Sequence, residues 1–343
     1  MSGAARHPHA TRVVLAHGGG GQLTDKLLRE IVIPRLANPL LDLMDDSALL
    51  PTTGPVAFTT DSYVVQPLEF PGGDIGRLAI CGTVNDLAVC GARPSWLSLG
   101  LIIEEGLELD VLRRVLDSVR ATAIEAGVQV VTGDTKVVAR GQADGLYMNT
   151  AGVGHLRAGL SLGAAQCRPG DAILVNGTIA DHGMAVMLQR EGGARIESDL
   201  ESDVAPLGGL IDGLLDAVPG TRFLRDATRG GLAGVVSDLA SASGYHVSLD
   251  EESLPVRAAT QYAAEMLGFD PLTVANEGKL VAVVPAEDEG RALVAVRAHE
   301  YGRDAAVIGR VEETRDGLCD LLTFVGGRRI VQKPYGEDLP RIC

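Results

Sequence analysis

The sequence ends on a cysteine, and the segment before it has little capacity to fold. Residues 331–343 are polar, include Pro334 and Pro340, and show neither a helical nor a strand period. So little apolar surface predicts a mobile arm, and these thirteen residues reach roughly 40 Å when extended. A thiol at the tip, Cys343, could accept a group at one site and carry it to another. A frayed terminus that happens to end in cysteine is the alternative.

Acidic residues in the first half of the chain indicate a second kind of chemistry. Five of them stand at predicted strand ends or helix starts beside Gly, Thr or Asn: Asp45, Asp46, Asp61, Asp86 and Asp134. Carboxylate oxygens suit Mg²⁺ carrying a nucleotide triphosphate. Any one of them alone is more often a cap or turn residue, but five in such contexts favour a metal site.

A run of glycines precedes the first predicted helix, at residues 23–29. It contains Gly18, Gly19 and Gly20. Bare backbone N–H groups and the helix dipole at such a place can bind phosphate. No Gly-Lys-Ser/Thr follows, so this is not the P-loop pattern, and a flexible hinge is an equal alternative.

Three further positions carry charge at predicted turns. Lys136 follows Asp134 by two residues and could stabilise charge on a transferring phosphoryl group. Asp226 lies in an Arg- and Gly-rich turn before a predicted helix, suited to an anion or to an ion pair between domains. Glu277 precedes a predicted strand and could be a general base or could cap a turn.

The elements that must position these residues alternate between strand and helix. Strands are predicted at residues 56–60, 96–103, 128–132, 146–154, 171–175, 280–284, 305–311 and 318–325. Helices are predicted at residues 75–92, 111–125, 181–190, 205–218, 233–242, 256–267 and 286–300. Because no clean βαβ rhythm appears, the pattern predicts two α/β or α+β domains, at residues 1–160 and 161–330, followed by the arm at 331–343.

Composition excludes several classes of function. The 343 residues are 46% hydrophobic and carry a net charge of −15, which argues against nucleic acid and anionic membrane surfaces. No apolar run is long enough for a spanning helix, and the first residues lack a signal-peptide core. The five cysteines form no C-x-x-C pair. We therefore expect a cytoplasmic protein whose four internal cysteines are small buried apolar residues.

Several blocks of sequence resemble the HypE family of hydrogenase maturation factors. They are His17–Gly21, Asp61–Tyr63, Phe70–Gly76, Gly82–Ala88, Gly133–Val138, Arg225–Gly231, Ala275–Leu280 and Leu339–Cys343. These blocks span essentially the whole chain, and the terminal cysteine is specific to that family. Ala227 stands where the family usually has proline, a change that removes no charged group. HypE resembles a branch of the PurM-like (aminoimidazole ribonucleotide synthetase) superfamily.

The resemblance implies a two-domain PurM-like fold, with the N-terminal sheet forming the core of a homodimer and a flexible C-terminal tail. It implies a carbamoyl dehydratase that uses ATP and Mg²⁺ to convert a carbamoyl group on the terminal cysteine to a cyano group. The carbamoyl group would come from a HypF-type carbamoyltransferase. The cyanide would pass to a HypC–HypD complex, for the iron of [NiFe]-hydrogenase.

The resemblance also assigns roles by position. Cys343 is the expected carrier, Glu277 the expected base with Asp86 as its rival, and Lys136 the expected electrostatic stabiliser. The expected nucleotide contacts are Gly18, Gly19, Gly20, Thr60, Asp61, Asn85, Gly133, Asp134, Thr135 and Asp226. The expected metal ligands are Asp45, Asp46, Asp61, Asp86 and Asp134.

Two other functions fit parts of the sequence. A small-molecule kinase of the same superfamily would keep the acidic cluster but would give Cys343 no task. A non-catalytic scaffold for a maturation complex would need neither the acidic cluster nor Lys136.

Overall fold

The structure is a computed structural model that describes residues 12–18, 22–41, 50–190, 199–334 and 342–343. It has a mixed α/β (α+β) architecture in which helices pack on two sheets. Four of the predicted site residues, Gly19, Gly20, Asp45 and Asp46, lie outside the described residues.

A four-stranded sheet organises the first half of the chain. The strands of this half are β1 (Val56–Tyr63), β2 (Glu69–Phe70), β3 (Gly73–Asp74), β4 (Ala92–Glu104), β5 (Gln129–Val138) and β6 (Leu146–Leu156). The helices are α1 (Gln22–Leu27), α2 (Ile33–Leu36), α3 (Ile75–Val89) and α4 (Leu109–Ala126). The sheet has the order β1-β6-β4-β5, and β2 and β3 form a small separate ladder. Strands β4 and β5 run parallel, whereas β6 pairs antiparallel with both β1 and β4.

The two faces of this sheet differ. Side chains alternate between the faces along each strand, and the inner face of β1 contacts α3, where Thr59 hydrogen-bonds Asp86. The opposite face is open in the described chain and carries large apolar side chains. Among them, Phe58 is 70% exposed and Ile102 is 42% exposed.

The helices on the inner face follow from the local sequence. Asp74 caps α3 by accepting hydrogen bonds from two backbone N–H groups of its first turn. Helix α4 buries Leu112, Leu116 and Val119 at helical spacing. It ends at Gly127, whose φ of 69° is the left-handed conformation that glycine adopts most easily.

A seven-stranded sheet, in the order β13-β12-β9-β11-β7-β10-β8, organises the second half. Its strands are β7 (Ala172–Val175), β8 (Phe223–Asp226), β9 (Val247–Asp250), β10 (Leu280–Val284), β11 (Ala306–Val311), β12 (Cys319–Leu322) and β13 (Arg328–Val331). The helices are α5 (Asp181–Arg190), α6 (Gly208–Ala217), α7 (Gly231–Ser243), α8 (Ala258–Leu267) and α9 (Glu289–Arg297). Strands β12 and β9 run parallel, and the other pairs of this sheet are antiparallel.

The structure corrects the sequence prediction in several places. The pattern did not predict β8, β9 or β13, because strands of four residues give little periodicity. Val331 is buried and pairs with Cys319, so β13 enters the segment predicted to be a mobile arm. Strand β5 continues through Val138, so Asp134 and Lys136 lie within it and not after it. Cys90 is exposed, contrary to prediction, because it ends α3 at the surface.

Polar side chains join the two halves. Asn85 on α3 is buried, and its amide donates to the Ala205 carbonyl (3.0 Å) and accepts from the Leu207 N–H (2.7 Å). Arg157, just after β6, pairs with Asp212 on α6 (2.5 Å). Within the described ranges, no helix is both long and apolar enough to cross a membrane.

Candidate active site

An acidic cleft lies where β1, α3 and β8 meet. Asp86 on α3 and Asp226 at the end of β8 line this cleft, which has a volume of about 520 Å³. Asp61 lies on the same face of β1 as Thr59, which donates its hydroxyl to Asp86 (3.0 Å). Arg229 approaches Asp61 from the second half, at 3.6 Å. The fold therefore brings together three predicted site carboxylates, from three elements.

The pKa values of two of these carboxylates, Asp86 and Asp226, are raised by their surroundings. Burial raises the pKa of Asp226 to about 6, and the nearby negative charges of Asp86 and Asp61 add to the effect. Burial and the Asp61 charge also raise the pKa of Asp86, against the hydrogen bond from Thr59. A bound cation would relieve the repulsion between these negative charges, and carboxylate oxygens are the ligands that Mg²⁺ prefers. The charge of the cluster therefore fits the predicted cation.

The predicted Mg²⁺ ligand set is only partly assembled. Asp61 and Asp86 are neighbours, whereas Asp134 lies on the edge strand β5. Asp45 and Asp46 are outside the described residues. Among the residues that the structure does describe, no three carboxylate, histidine or cysteine side chains are close enough to share a metal ion. The full five-carboxylate set stays a prediction.

Asp134 and Lys136 form an exposed ion pair, with 3.2 Å between Nζ and Oδ2. Asp134 on β5 pairs with Gly100 on β4, which pairs with Asn149 on β6, which in turn pairs with Ser62 on β1. This row of paired residues crosses three strand spacings, about 14 Å. By register, the pair projects from the open face, whereas Asp61 faces α3. One chain alone therefore does not bring Lys136 beside the acidic cleft.

Three other predicted nucleotide contacts also belong to this sheet. Thr60 projects from the open face of β1 and donates its hydroxyl to the Thr150 carbonyl (2.9 Å). Gly133 permits close pairing of β5 with β4, since a Cβ there would lie 2.3 Å from the Leu99 carbonyl oxygen. Thr135 donates its backbone N–H to the Asp134 carboxylate (2.8 Å). Their contacts with a nucleotide remain predictions.

Glu277 is buried just before β10, at 3% exposure. Its backbone N–H donates to Asp203 Oδ1 (3.0 Å), and Oε1 of its carboxyl has no hydrogen-bond partner among the described residues. Burial raises its pKa well above the ordinary value, and the charges of Asp203, Asp226 and Asp61 raise it further. A buried carboxyl group with a raised pKa and one oxygen without a partner among the described residues is typical of a proton-transfer site.

The last two residues are docked between the two halves of the chain. Ile342 is 2% exposed and belongs to the hydrophobic core of the first half. Its carbonyl oxygen lies 2.9 Å from Nε2 of His182 on α5. The Cys343 carbonyl accepts a hydrogen bond from the Val64 N–H (3.2 Å), and Cys343 itself is half-buried. The predicted arm therefore ends in a defined site in this structure.

Two predicted nucleotide contacts have other surroundings. The amide of Asn85 is already engaged by backbone groups, including the Glu277 carbonyl at 3.3 Å, and so it holds the Glu277 segment in place. Gly18 ends a short 3-10 turn, Leu15–Gly18, ahead of α1. Whether either residue contacts a nucleotide stays a prediction.

Sequence reasoning missed the residues that hold the tail and support Glu277. His182 contacts both the tail and Ser202, while Asp203 forms a buried ion pair with Lys279 (2.9 Å). The sequence feature that could have indicated this role for His182 is its place at the start of a mostly apolar helix, α5. Nothing in the spacing of residues 202–203 points to the distant residues that they meet.

The chain is similar to known proteins along nearly its whole length. The N-terminal domain of AIR synthase related proteins matches residues 44–156, and the C-terminal domain of that family matches residues 168–318. Carbamoyl dehydratase HypE of Azotobacter vinelandii is 49% identical over 333 residues, which are 96% of this chain and 97% of that protein.

Solved structures agree with this similarity. Hydrogenase maturation protein HypE in complex with ATP has a TM-score of 0.92 at 42% identity, covering 96% of this chain and 99% of that one. A chain of a HypE–HypF complex has a TM-score of 0.78 at 44% identity, covering 90% and 99%.

Proposed function

The chain belongs to the HypE family of carbamoyl dehydratases, which act in hydrogenase maturation, and from that membership we propose that it dehydrates a carbamoyl group carried on the sulfur of Cys343. The thiocarbamate becomes a thiocyanate in a reaction that consumes ATP. The thiocyanate then supplies the cyanide ligand for the iron of [NiFe]-hydrogenase.

The observation that carries this proposal is the docking of Cys343 beside the segment that supports Glu277. His182 contacts the tail and hydrogen-bonds Ser202 (2.8 Å). The next residue, Asp203, accepts the N–H of Glu277 (3.0 Å). The residue before the carrier cysteine is thus linked to a buried candidate base through His182, Ser202 and Asp203.

The chemistry requires a leaving group better than hydroxide. Transfer of the γ-phosphoryl group of ATP to the carbamoyl oxygen converts that oxygen into part of a phosphate leaving group. The nitrogen then loses its two protons in all, the C–O bond breaks as phosphate departs, and the C≡N bond forms. The products are ADP, phosphate and an S-cyano cysteine.

Glu277 is the proposed base. Its raised pKa makes its carboxylate a stronger base than an ordinary glutamate, and Oε1 is free to accept a proton because it has no partner among the described residues. Asp86 also has a raised pKa but already accepts the Thr59 hydroxyl, so we favour Glu277 over Asp86.

The acidic cleft is the proposed site for the triphosphate end of the nucleotide. Asp61 and Asp86 would contribute ligands to Mg²⁺, and the nearby Asp226 carboxylate would add negative charge; the ion would neutralise charge on the triphosphate and orient its γ-phosphoryl group. Arg229, at the mouth of the cleft, can neutralise phosphate oxygens directly. A structure of HypE in complex with ATP, a relative at 42% identity, supports ATP as the nucleotide.

We also propose a homodimer formed through the open face of the first sheet. This face carries exposed Phe58, Val56 and Ile102, and large exposed apolar side chains favour burial against a partner. Lys136 and Asp134 lie on the same face. A second copy of the chain would bury this face and place Lys136 within the assembly, where it could serve the chemistry.

The proposed partners follow from the substrate and the product. A HypF-type carbamoyltransferase would load Cys343, and the solved HypE–HypF complex contains a relative of 44% identity. A HypC–HypD complex would accept the cyano group.

The decisive experiment is mass spectrometry of the C-terminal peptide. After incubation with a carbamoyl-donor system, the peptide should gain the mass of a carbamoyl group, and on addition of Mg–ATP it should lose the mass of one water. Cys343→Ser is the control and should show neither change while still binding ATP. A peptide that never gains the carbamoyl mass, or a Cys343→Ser protein that still yields thiocyanate, would refute the carrier role.

The same preparation separates this function from its rivals. A small-molecule kinase would hydrolyse or transfer phosphate whether or not Cys343 is carbamoylated. A scaffold would not consume ATP in either state. A carbamoyl dehydratase should consume ATP in step with carbamoylated Cys343.

A further inference from the structure

Two successive carbonyl groups at the end of the tail are each held by a hydrogen bond. The Ile342 carbonyl lies 2.9 Å from His182 Nε2, and the Cys343 carbonyl accepts the Val64 N–H at 3.2 Å. Between them, the Ile342 side chain is buried in the core of the first half. The tail is thus bound through its backbone and through one apolar side chain.

The hydrogen bonds around His182 define which ring nitrogen carries the proton. Ser202 Oγ accepts the Val204 N–H (3.1 Å) and lies 2.8 Å from His182 Nδ1. Ser202 can then donate its own proton to Nδ1, which leaves the neutral ring protonated at Nε2. In that tautomer, Nε2–H points at the Ile342 carbonyl as a donor.

The ring of His182 is held rigidly. It is fully buried, and Phe70 packs against it edge-to-face with ring centroids 5.4 Å apart. Burial lowers the pKa of His182, in keeping with a neutral ring, although the negative charge of Asp203 and the bond to Ile342 oppose that effect. A donor with a preset direction loses little freedom when the tail binds.

We propose that the His182–Ser202 pair and the Val64 N–H form a binding site for residues 342–343. This site sets the position of the Cys343 thiol. With the main-chain oxygens on both sides of the Cys343 Cα bonded, the backbone of Cys343 is fixed, and the sulfur is restricted to the staggered positions of χ1. His182 is therefore a positioning residue for the carrier cysteine. This inference rests on the proposed function and specifies how that function aligns its substrate.

The first test measures how well docking protects the thiol. The full chain is treated with iodoacetamide, and alkylation of Cys343 is followed by mass spectrometry of the C-terminal peptide. His182→Leu, which removes the donor, should speed alkylation about three- to tenfold, the effect of one net hydrogen bond. His182→Gln retains an N–H near the position of Nε2 and should restore much of the protection.

His246 provides a matched control. It is also buried, at 8% exposure, but its ring hydrogen-bonds Asp316, in the connection between β11 and β12, and not the described residues of the tail. His246→Leu should leave the alkylation rate of Cys343 unchanged. The proposal is overturned if His182→Leu alkylates at the wild-type rate, or no faster than His246→Leu.

A second test leaves the folded part of the protein untouched, in case His182→Leu does not fold. Residues 1–342 are prepared as a thioester and ligated to cysteine, cysteinamide or cysteamine. Cysteinamide keeps the carbonyl that accepts the Val64 N–H, whereas cysteamine lacks it. Each alkylation rate is divided by that of the same chain unfolded in urea, which removes differences in thiol reactivity.

The cysteine and cysteinamide proteins should both be protected, since each offers an oxygen to the Val64 N–H, and the cysteamine protein should react about three- to tenfold faster than the cysteinamide protein. Equal protection of all three would overturn the Val64 contact. Because alkylation needs neither ATP nor a carbamoyl donor, failure of this inference is distinguishable from failure of the proposed function. If both hold, the rate of cyanation should fall in His182→Leu while the KM for ATP stays unchanged.

Discussion

Replacing Glu277 with glutamine should stop the dehydration and also make the stability of the protein less dependent on pH. Burial, followed by the charges of Asp203 and Asp226, raises the pKa of Glu277 well above its ordinary value of 4.5. A carboxyl group whose pKa is raised in the folded state favours folding below its unfolded pKa. That contribution is lost as pH rises towards the folded pKa, because the unfolded chain ionises freely while the folded chain must hold the proton.

The size of the effect follows from this linkage. Between the ordinary and the raised pKa, the free energy of unfolding falls by about 1.4 kcal/mol for each pH unit. For a chain of 343 residues, with an unfolding entropy of about 2.1 cal/mol/K per residue, 1 kcal/mol corresponds to roughly 1–2 °C in Tm. Glutamine cannot ionise, so Glu277→Gln should become increasingly stable relative to wild type as pH rises through this window, and the difference should level off above it.

The assay is thermal unfolding of wild type and Glu277→Gln at a series of pH values, with the difference in Tm plotted against pH. Taking the difference cancels groups that titrate alike in both proteins. Glu313→Gln, at an exposed position, is the control and should give a flat difference. In parallel, Glu277→Gln should accumulate carbamoylated Cys343 without losing water from it.

A flat difference for Glu277→Gln would show that the carboxyl group is not perturbed in solution, which would refute the argument for a strengthened base. Normal turnover in the same variant would remove Glu277 from the base role even if the stability result held.

Two further predictions concern the cleft and the open sheet face. Because the pKa of Asp226 is raised to about 6, the affinity for Mg²⁺ with a non-hydrolysable ATP analogue should fall as the pH drops below that value, by up to about tenfold per pH unit. Calorimetry should show that Asp226→Asn lacks the part of this pH dependence that Asp226 causes. An unchanged pH profile in the variant would argue against a cation at Asp226. Phe58→Glu should convert the proposed dimer to a folded monomer in light scattering, since Phe58 is 70% exposed in the single chain, and Tm should fall only by the stabilisation that dimerisation provides. An unchanged mass would place the dimer contact elsewhere.

Local patterns in the sequence were enough to predict much of the fold. Helix α5 and strand β10 have the predicted bounds, and Gly127 ends α4 as predicted. These elements have strong apolar periodicity or a clear terminating residue, which are properties of neighbouring residues. The short strands β8, β9 and β13 were missed because four residues contain too few alternations to separate a strand from a loop.

The chemistry of single residues could also be anticipated from the sequence. A carboxylate within an apolar helix, Asp86, and a glutamate at a strand entrance, Glu277, stand out because charge is costly to bury without a purpose. The tertiary structure decided which of them meet. It places Asp86 and Asp226 in one cleft, with Asp61 on the adjoining face of β1, but leaves Lys136 on the opposite face of the sheet. Strand order and side-chain alternation decide this, and they are set by pairing between distant segments.

The tail shows most clearly which properties the sequence determines and which the tertiary structure determines. Its composition and its final cysteine, read from the sequence alone, predict a carrier arm with little structure of its own. The site that receives it is built from Val64, His182 and Ser202, which lie far apart in the chain and far from Cys343. Hydrogen bonds between such distant groups depend on the packing of the two halves, and no periodicity or spacing in the sequence encodes that packing directly.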